Sequence, residues 1–146
     1  MSRLYPILLA SLLAALAVLA LPAAAADWVV VGNPKAGITR LTQDEVINIY
    51  LGRFRRLASG IAAEPIDQPA DSALKALVYR QLVGKSLAEI NAYWARLVFT
   101  GKTQPPRVAT SSEDAIQQVA RHPGALSYVE RTHVDARVLV VFEMAE

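Results

Sequence analysis

The chain has 146 residues, with 15 Lys+Arg, 13 Asp+Glu and no cysteine. The missing cysteine excludes disulfides, thiolate metal sites and thiol nucleophiles together. A formal charge of only +2 implies no broad field for nucleic acid or anionic lipid.

The first 26 residues read as a cleavable secretory leader. Arg3 supplies a positive start, and Leu8 to Leu21 is an apolar run relieved by Ser11 and alanines. Pro22 breaks that run, and Ala24-Ala25-Ala26 offers small side chains for cleavage before Asp27. The run falls short of the roughly 20 residues that a bilayer span needs, so export is expected rather than a membrane anchor. Asp27 to Glu146 then forms one domain of about 120 residues, enough to bury a core without covalent staples. Its fourteen cations against thirteen anions leave a charge of +1.

Trp28 to Val31 is a short β-branched run stopped by Asn33-Pro34. A helix follows, with Thr42 as cap, Glu45 closing a capping box, Val46, Ile49 and Tyr50 at helical spacing, and Gly52 as the stop. After a basic loop, Pro65 to Gln68 reads as a brief strand. A second helix opens at Asp71 or Ser72 and ends at Gly84, with Leu74, Leu77, Val78 and Leu82 on one face. A third is capped by Ser86 with Glu89 three residues on. Its broad stripe of Leu87, Ile90, Tyr93, Trp94, Leu97 and Val98 makes it the expected main packing element. Pro105-Pro106 is an extended connector, and Ser111 or Ser112 caps a fourth helix that ends before Pro123-Gly124. Two strands close the chain, Ala125 to Val129 and Arg137 to Phe142. The second is apolar on both faces, as suits a strand covered on both sides. Strands alternating with helices point to an α/β domain whose mixed, mostly parallel sheet has about four or five strands flanked by about four helices.

Several patterns are weighed as chemistry. Gly32 to Thr39 has the glycine spacing of a phosphate-cradling loop, but Ile38 stands at the lysine position and Pro34 lacks an N–H, so that reading is rejected. Lys35 reads as solvated, with contact to an anion from the loop rim as the alternative. Arg53, Arg55 and Arg56 around Phe54 form the densest positive charge, read as a solvated turn or as a docking point for an acidic partner or membrane surface. His122 and His133 have no partners at ligand spacing, so no metal is implied. No hydrolase elbow, zinc-protease motif or framed carboxylate pair appears; neither catalytic residues nor a cofactor are expected. Tyr93 and Trp94 read as core rather than as ligand-stacking aromatics.

Three segments carry a family resemblance. They are Asn33-Pro34 with Leu41 to Gly52; Tyr93-Trp94 with Val98 to Gly101 and Pro105-Pro106; and Val119-Ala120 with Pro123 to Val129. In that order they resemble the phosphate-type substrate-binding proteins of ABC uptake systems, which have the type 2 periplasmic binding fold. Those proteins are more than twice as long, and the resemblance implies a single lobe, the one inserted between the two passes of the other. With the leader, it implies a periplasmic protein.

The resemblance also implies where a ligand would sit. Phosphate binders of this kind carry an arginine followed by a Ser-Gly-Thr stretch that opens a helix. The matching positions are Gln68 for the arginine, then Asp71, Ser72, Ala73 and Leu74, with Leu74 in place of the threonine. Ser72 keeps its hydroxyl, and the N–H groups of Ala73 and Leu74 remain available; Thr42 and Ser112 at other helix starts are outsiders. Asp71 and Ser72 read first as helix caps and second as a degenerate ligand site. The first expectation is therefore a non-enzymatic domain binding phosphate or a similar oxyanion weakly, or only when a partner completes the groove. The alternative is an interaction or sensor-adaptor module with a degenerate ligand site. Partners for either are a membrane transporter or sensor component, or a second copy; nucleic acid is not among them.

Overall fold

Trp28–Gly32 forms β1, and every one of its residues is buried. A computed structural model describes residues 27–101 and 103–145; residues 1–26, on which the expected leader falls, Lys102 and Glu146 lie outside them. Then follow α1 (Gln43–Tyr50), β2 (Glu64–Asp67), α2 (Ala73–Val83), α3 (Leu87–Phe99) and β3 (Arg107–Val108). The chain continues with α4 (Ser112–Arg121), β4 (Ala125–Glu130), a 3-10 turn at Arg131–His133, and β5 (Leu139–Glu143).

The five strands form one sheet in the order β3-β2-β4-β1-β5. β2 runs parallel to β3 and β4, while β1 is antiparallel to β4 and β5. Four strands therefore point one way and β1 alone points the other. The described residues thus form the expected α/β domain, with a mixed, mostly parallel sheet and four α-helices.

Both sheet faces are covered. On one, Val29, Val31, Ile66 and Val129 pack against Ala115, Ile116 and Val119 of α4. On the other, Trp28, Val30, Leu126 and Tyr128 meet buried residues of α1, α2 and α3. Burying an aliphatic side chain of this size stabilises by about 1.5–3 kcal/mol. Asn33, just past β1, is itself a tie: its Nδ2 donates to the carbonyls of Val119 at 2.8 Å and Ala120 at 3.2 Å, closing the end of α4.

The helix starts follow local rules. Ser86 and Glu89 form the full capping box of α3, and Ser111 rather than Ser112 caps α4. Thr42 caps α1, but its hydroxyl lies 3.1 Å from the Glu45 carboxylate, so only half of the expected box forms.

Other expectations are corrected. Leu77 is exposed, and Tyr79 takes its place in the core beside Val78 and Leu82. Only Ile90 and Trp94 of α3 are fully buried, and Val98 is exposed, so α3 is an outer layer rather than the main packing element. β5 is covered on both faces, with Val140 against the α4-side core and Val141 and Phe142 against the other, but it lies at the sheet edge. Val141 is an extra residue in its pairing with β1, and its carbonyl accepts from Leu41 N–H at 2.8 Å. Edge strands carry unpaired backbone groups, and a bulge plus a covering loop blunts that edge.

Gly124 precedes β4 where the chain passes closest to a neighbour. A Cβ there would stand 1.9 Å from the carbonyl oxygen of Ala62, a backbone atom that cannot step aside. Gly124→Ala is expected to cost about 3 kcal/mol, the upper end of the usual overpacking range. Urea denaturation checks it, and wild-type stability would show that the backbone at Ala62 yields freely.

Candidate functional site

In open α/β sheets, ligands bind outside the carboxyl ends of parallel strands, where helices begin. Here β2 and β3 lead into α2 and α4, so two helix N-termini, where the resemblance puts the groove, follow the carboxyl ends of neighbouring parallel strands. Ser72 is the α2 cap, its Oγ accepting from Lys75 N–H at 3.2 Å. Ser111 caps α4 by accepting from Asp114 N–H at 3.1 Å, and the Asp114 carboxylate accepts from Thr110 N–H at 2.9 Å. That last bond holds the Asp114 carboxyl below its usual range.

Beneath the groove lies a buried carboxylate. Asp67 ends β2 and is 5% exposed. Its Oδ1 accepts from the Tyr128 hydroxyl and, at 3.0 Å, from Gln68 N–H. Its Oδ2 accepts from the Tyr79 hydroxyl at 3.0 Å and lies 3.4 Å from Lys75 Nζ. Tyr50 completes the cluster by donating to the carbonyl of Ile66 at 2.9 Å. Burial first, and the Asp67 charge second, push the hydroxyls of Tyr50, Tyr79 and Tyr128 above the ordinary tyrosine range.

Gln68, at the position the resemblance gives to an arginine, is buried and faces inward. Its Nε2 donates to Ser112 Oγ and to the Tyr128 carbonyl, both at 3.1 Å. Ser112 in turn donates to the Glu130 carboxylate. Gln68 and Ser112 are thus brought together, but in a structural chain rather than around an open space.

Ala73 is exposed and Leu74 half-buried, and no acceptor for either N–H exists among the described residues. Asp71 is exposed, and Ser72, not Asp71, is the cap. Thr42 lies elsewhere, beside β5 in a depression shared with Val140 and Phe142.

The groove's charge is unsuited to an anion. Asp67, Asp71, Glu113, Asp114 and Glu130 all lie at the carboxyl ends of these strands or in the first turns that follow. Lys75 is paired to Asp67, and Arg137 is held by Glu113 at 3.0 Å and Asp135 at 2.7 Å. The Arg137 guanidinium holds the exposed Asp135 carboxyl down at about 2. Among the described residues no group of three or more His, Cys, Asp or Glu could hold a metal ion.

Sequence reasoning missed Asp67, Lys75, Tyr79 and Tyr128. A signal was available: a tyrosine on a core face needs a partner for its hydroxyl, and an acid ending an otherwise apolar strand can supply it.

Solved structures share this architecture. An ABC-type phosphate transport receptor from Vibrio cholerae matches with a TM-score of 0.60 at 16% identity, over 80% of this chain and 47% of its own. A Clostridium perfringens protein, assigned to the phosphate ABC transporter substrate-binding proteins and holding bound phosphate, matches with a TM-score of 0.62 at 14% identity, over 80% and 46%. The fold matches that of about half of such a receptor. PstS from Borrelia burgdorferi agrees, with a TM-score of 0.60 at 13% identity over 79% of this chain and 46% of its own. The lobe therefore spans about half the length of the receptors it matches. Identities this low carry the fold alone. No protein-family model matches the chain, and no curated protein does.

Proposed function

We propose that the lobe is an exported, non-enzymatic interaction module of the solute-binding type, docking onto a transporter or sensor component of the cell envelope. Its own anion groove is degenerate. Asp67 is the observation that carries this reading: a buried carboxylate, already satisfied by two tyrosine hydroxyls, a backbone N–H and Lys75, sits below the helix start where an oxyanion would rest. Lys75, the cation nearest that helix start, is spent on Asp67 at 3.4 Å, so neither a free positive charge nor a spare buried donor is left for an anion. A groove walled on one side also leaves a ligand hydrated, which weakens every polar contact it makes.

Crosslinking in intact cells tests the reading. A specific covalent adduct with a membrane transporter or sensor subunit supports it, and recovery of uncoupled monomer alone counts against it. Export has its own check: the protein recovered from the envelope is expected to begin at Asp27, and a retained Met1 would refute cleavage.

A second reading rests on the unpartnered N–H groups of Ala73 and Leu74. Together with the Ser72 hydroxyl, they would contact phosphate or another small oxyanion weakly, or tightly once a partner or second copy adds the opposing wall. Calorimetry with phosphate, sulfate and molybdate distinguishes the two. Silence at millimolar ligand is expected, and a dissociation constant below about 1 mM would favour the oxyanion reading.

A further inference from the structure

On the outer side of α3, away from the anion groove, lies a trough of 480 Å³ between that helix and the turn that ends α1. Its floor is apolar: Leu51, Ile90, Ala92 and Tyr93. Tyr93 fixes the floor by donating its hydroxyl to the Leu51 carbonyl at 2.6 Å. Gly52 lets the turn come this close, with φ at +73° and the Trp94 ring 2.9 Å from where a Cβ would stand.

The rim is cationic. Arg53, Lys85 and Arg96 line it, and among the described residues none of the three forms an ion pair within 4.0 Å. The single acid on the rim, Glu89, is committed to the helix start, where it accepts from Ser86 N–H at 2.8 Å. Phe99 follows Ala92 and Arg96 at helical spacing and is 93% exposed, so an unburied aromatic continues the line of the trough. Lys85 to Arg96 spans about 16 Å along the axis, roughly three helical turns.

We propose that this trough is the docking surface for an amphipathic helix of a protein partner, one with carboxylates beside its apolar ridge. The inference rests on the interaction-module reading and names where the contact is and what chemistry it takes. A concave apolar floor is filled by a ridge of side chains, as when a helix seats in a groove, whereas a bilayer presents a broad surface with no ridge. Three rim cations select glutamate or aspartate on the ridge's flanks, and they reject a basic helix by like-charge repulsion.

Two measurements test it. In the first, the isotopically labelled protein is titrated with a helix-stabilised peptide whose leucine ridge is flanked by glutamates, with a lysine-flanked counterpart, and with phosphatidylglycerol vesicles. The glutamate peptide is expected to move the amide resonances of Arg53, Ala92, Tyr93 and Arg96 saturably. Arg53→Glu and Arg96→Glu are each expected to weaken it about tenfold, while Arg131→Glu on the far side leaves it unchanged. Equal binding of the lysine peptide, binding of vesicles without the peptide, or no response at these four amides overturns the proposal.

In the second, a photo-crosslinker is placed in cells at Ala92 or at Asp71. Capture of the same partner segment at Ala92, lost in Arg96→Glu, supports the trough. Capture at Asp71 alone overturns the trough but leaves the interaction reading standing; capture at neither overturns both.

Discussion

Asp67→Ala is expected to lower the folding free energy by about 3–5 kcal/mol, the cost of breaking a buried ionic and hydrogen-bonded cluster from one side. The alanine leaves the hydroxyls of Tyr79 and Tyr128, the N–H of Gln68 and the ammonium of Lys75 without their acceptor. These groups sit on α2, β4 and the β2–α2 turn, so one side chain ties three elements together beneath the groove. Urea unfolding measures the effect, and a loss below about 1 kcal/mol would mean that water replaces the carboxylate without penalty.

Asp67→Asn separates charge from shape. It keeps the acceptor for Gln68 N–H and removes the negative charge, so a smaller stability loss is expected. If that charge is what expels anions, calorimetry with phosphate should give a measurable heat in Asp67→Asn where the wild type gives none. Equal silence in a folded variant would place the cause in the missing arginine at Gln68 rather than in repulsion.

What could be read in the sequence was local. The caps at Ser72, Ser86 and Ser111 each depend on a hydroxyl and an N–H three residues apart, and all three form. The α/β class followed from the alternation of elements. What failed was non-local. Val138 to Phe142 is legible as a strand with two apolar faces, but its place at the sheet edge is not, because nothing within those five residues encodes their neighbours.

Helical spacing puts Leu77 on the core face of α2 and passes over Tyr79, whereas the structure exposes the first and buries the second. Tyr79 is preferred because Asp67, twelve positions away, offers its hydroxyl an acceptor. The site repeats the lesson. Only the family resemblance marks Gln68 as the place of a lost arginine, and it passes over the neighbouring acid, Asp67, that takes up Lys75. Its burial becomes visible only once β2 lies between β3 and β4. Of the basic cluster Arg53, Arg55 and Arg56, only Arg53 lines the trough beside α3, where folding brings Lys85 and Arg96 to join it.

The same cluster predicts steep alkaline unfolding. Tyr50, Tyr79 and Tyr128 have folded-state pKa values above the ordinary value near 10, because burial, and then the Asp67 charge, disfavour the phenolate. In the unfolded chain each releases its proton near pH 10; in the folded protein each keeps it. Above pH 10 the native state therefore binds more protons than the unfolded state, and stability falls as pH rises. The contribution is fully present below pH 10 and disappears above it, by about 1.4 kcal/mol per pH unit for each tyrosine and about 4 kcal/mol per unit for the three. A domain of ordinary stability, roughly 5–15 kcal/mol, is exhausted within a few pH units of such a slope. Denaturant titrations between pH 8 and 12 measure the slope, while tyrosinate absorbance and far-ultraviolet circular dichroism are followed together. Ionisation of these three rings should coincide with loss of secondary structure, and Tyr79→Phe should reduce the slope by about a third. Smooth ionisation of all tyrosines near pH 10 with the fold intact would contradict the cluster, because phenolates cannot form beside a buried Asp67 without opening the sheet to water.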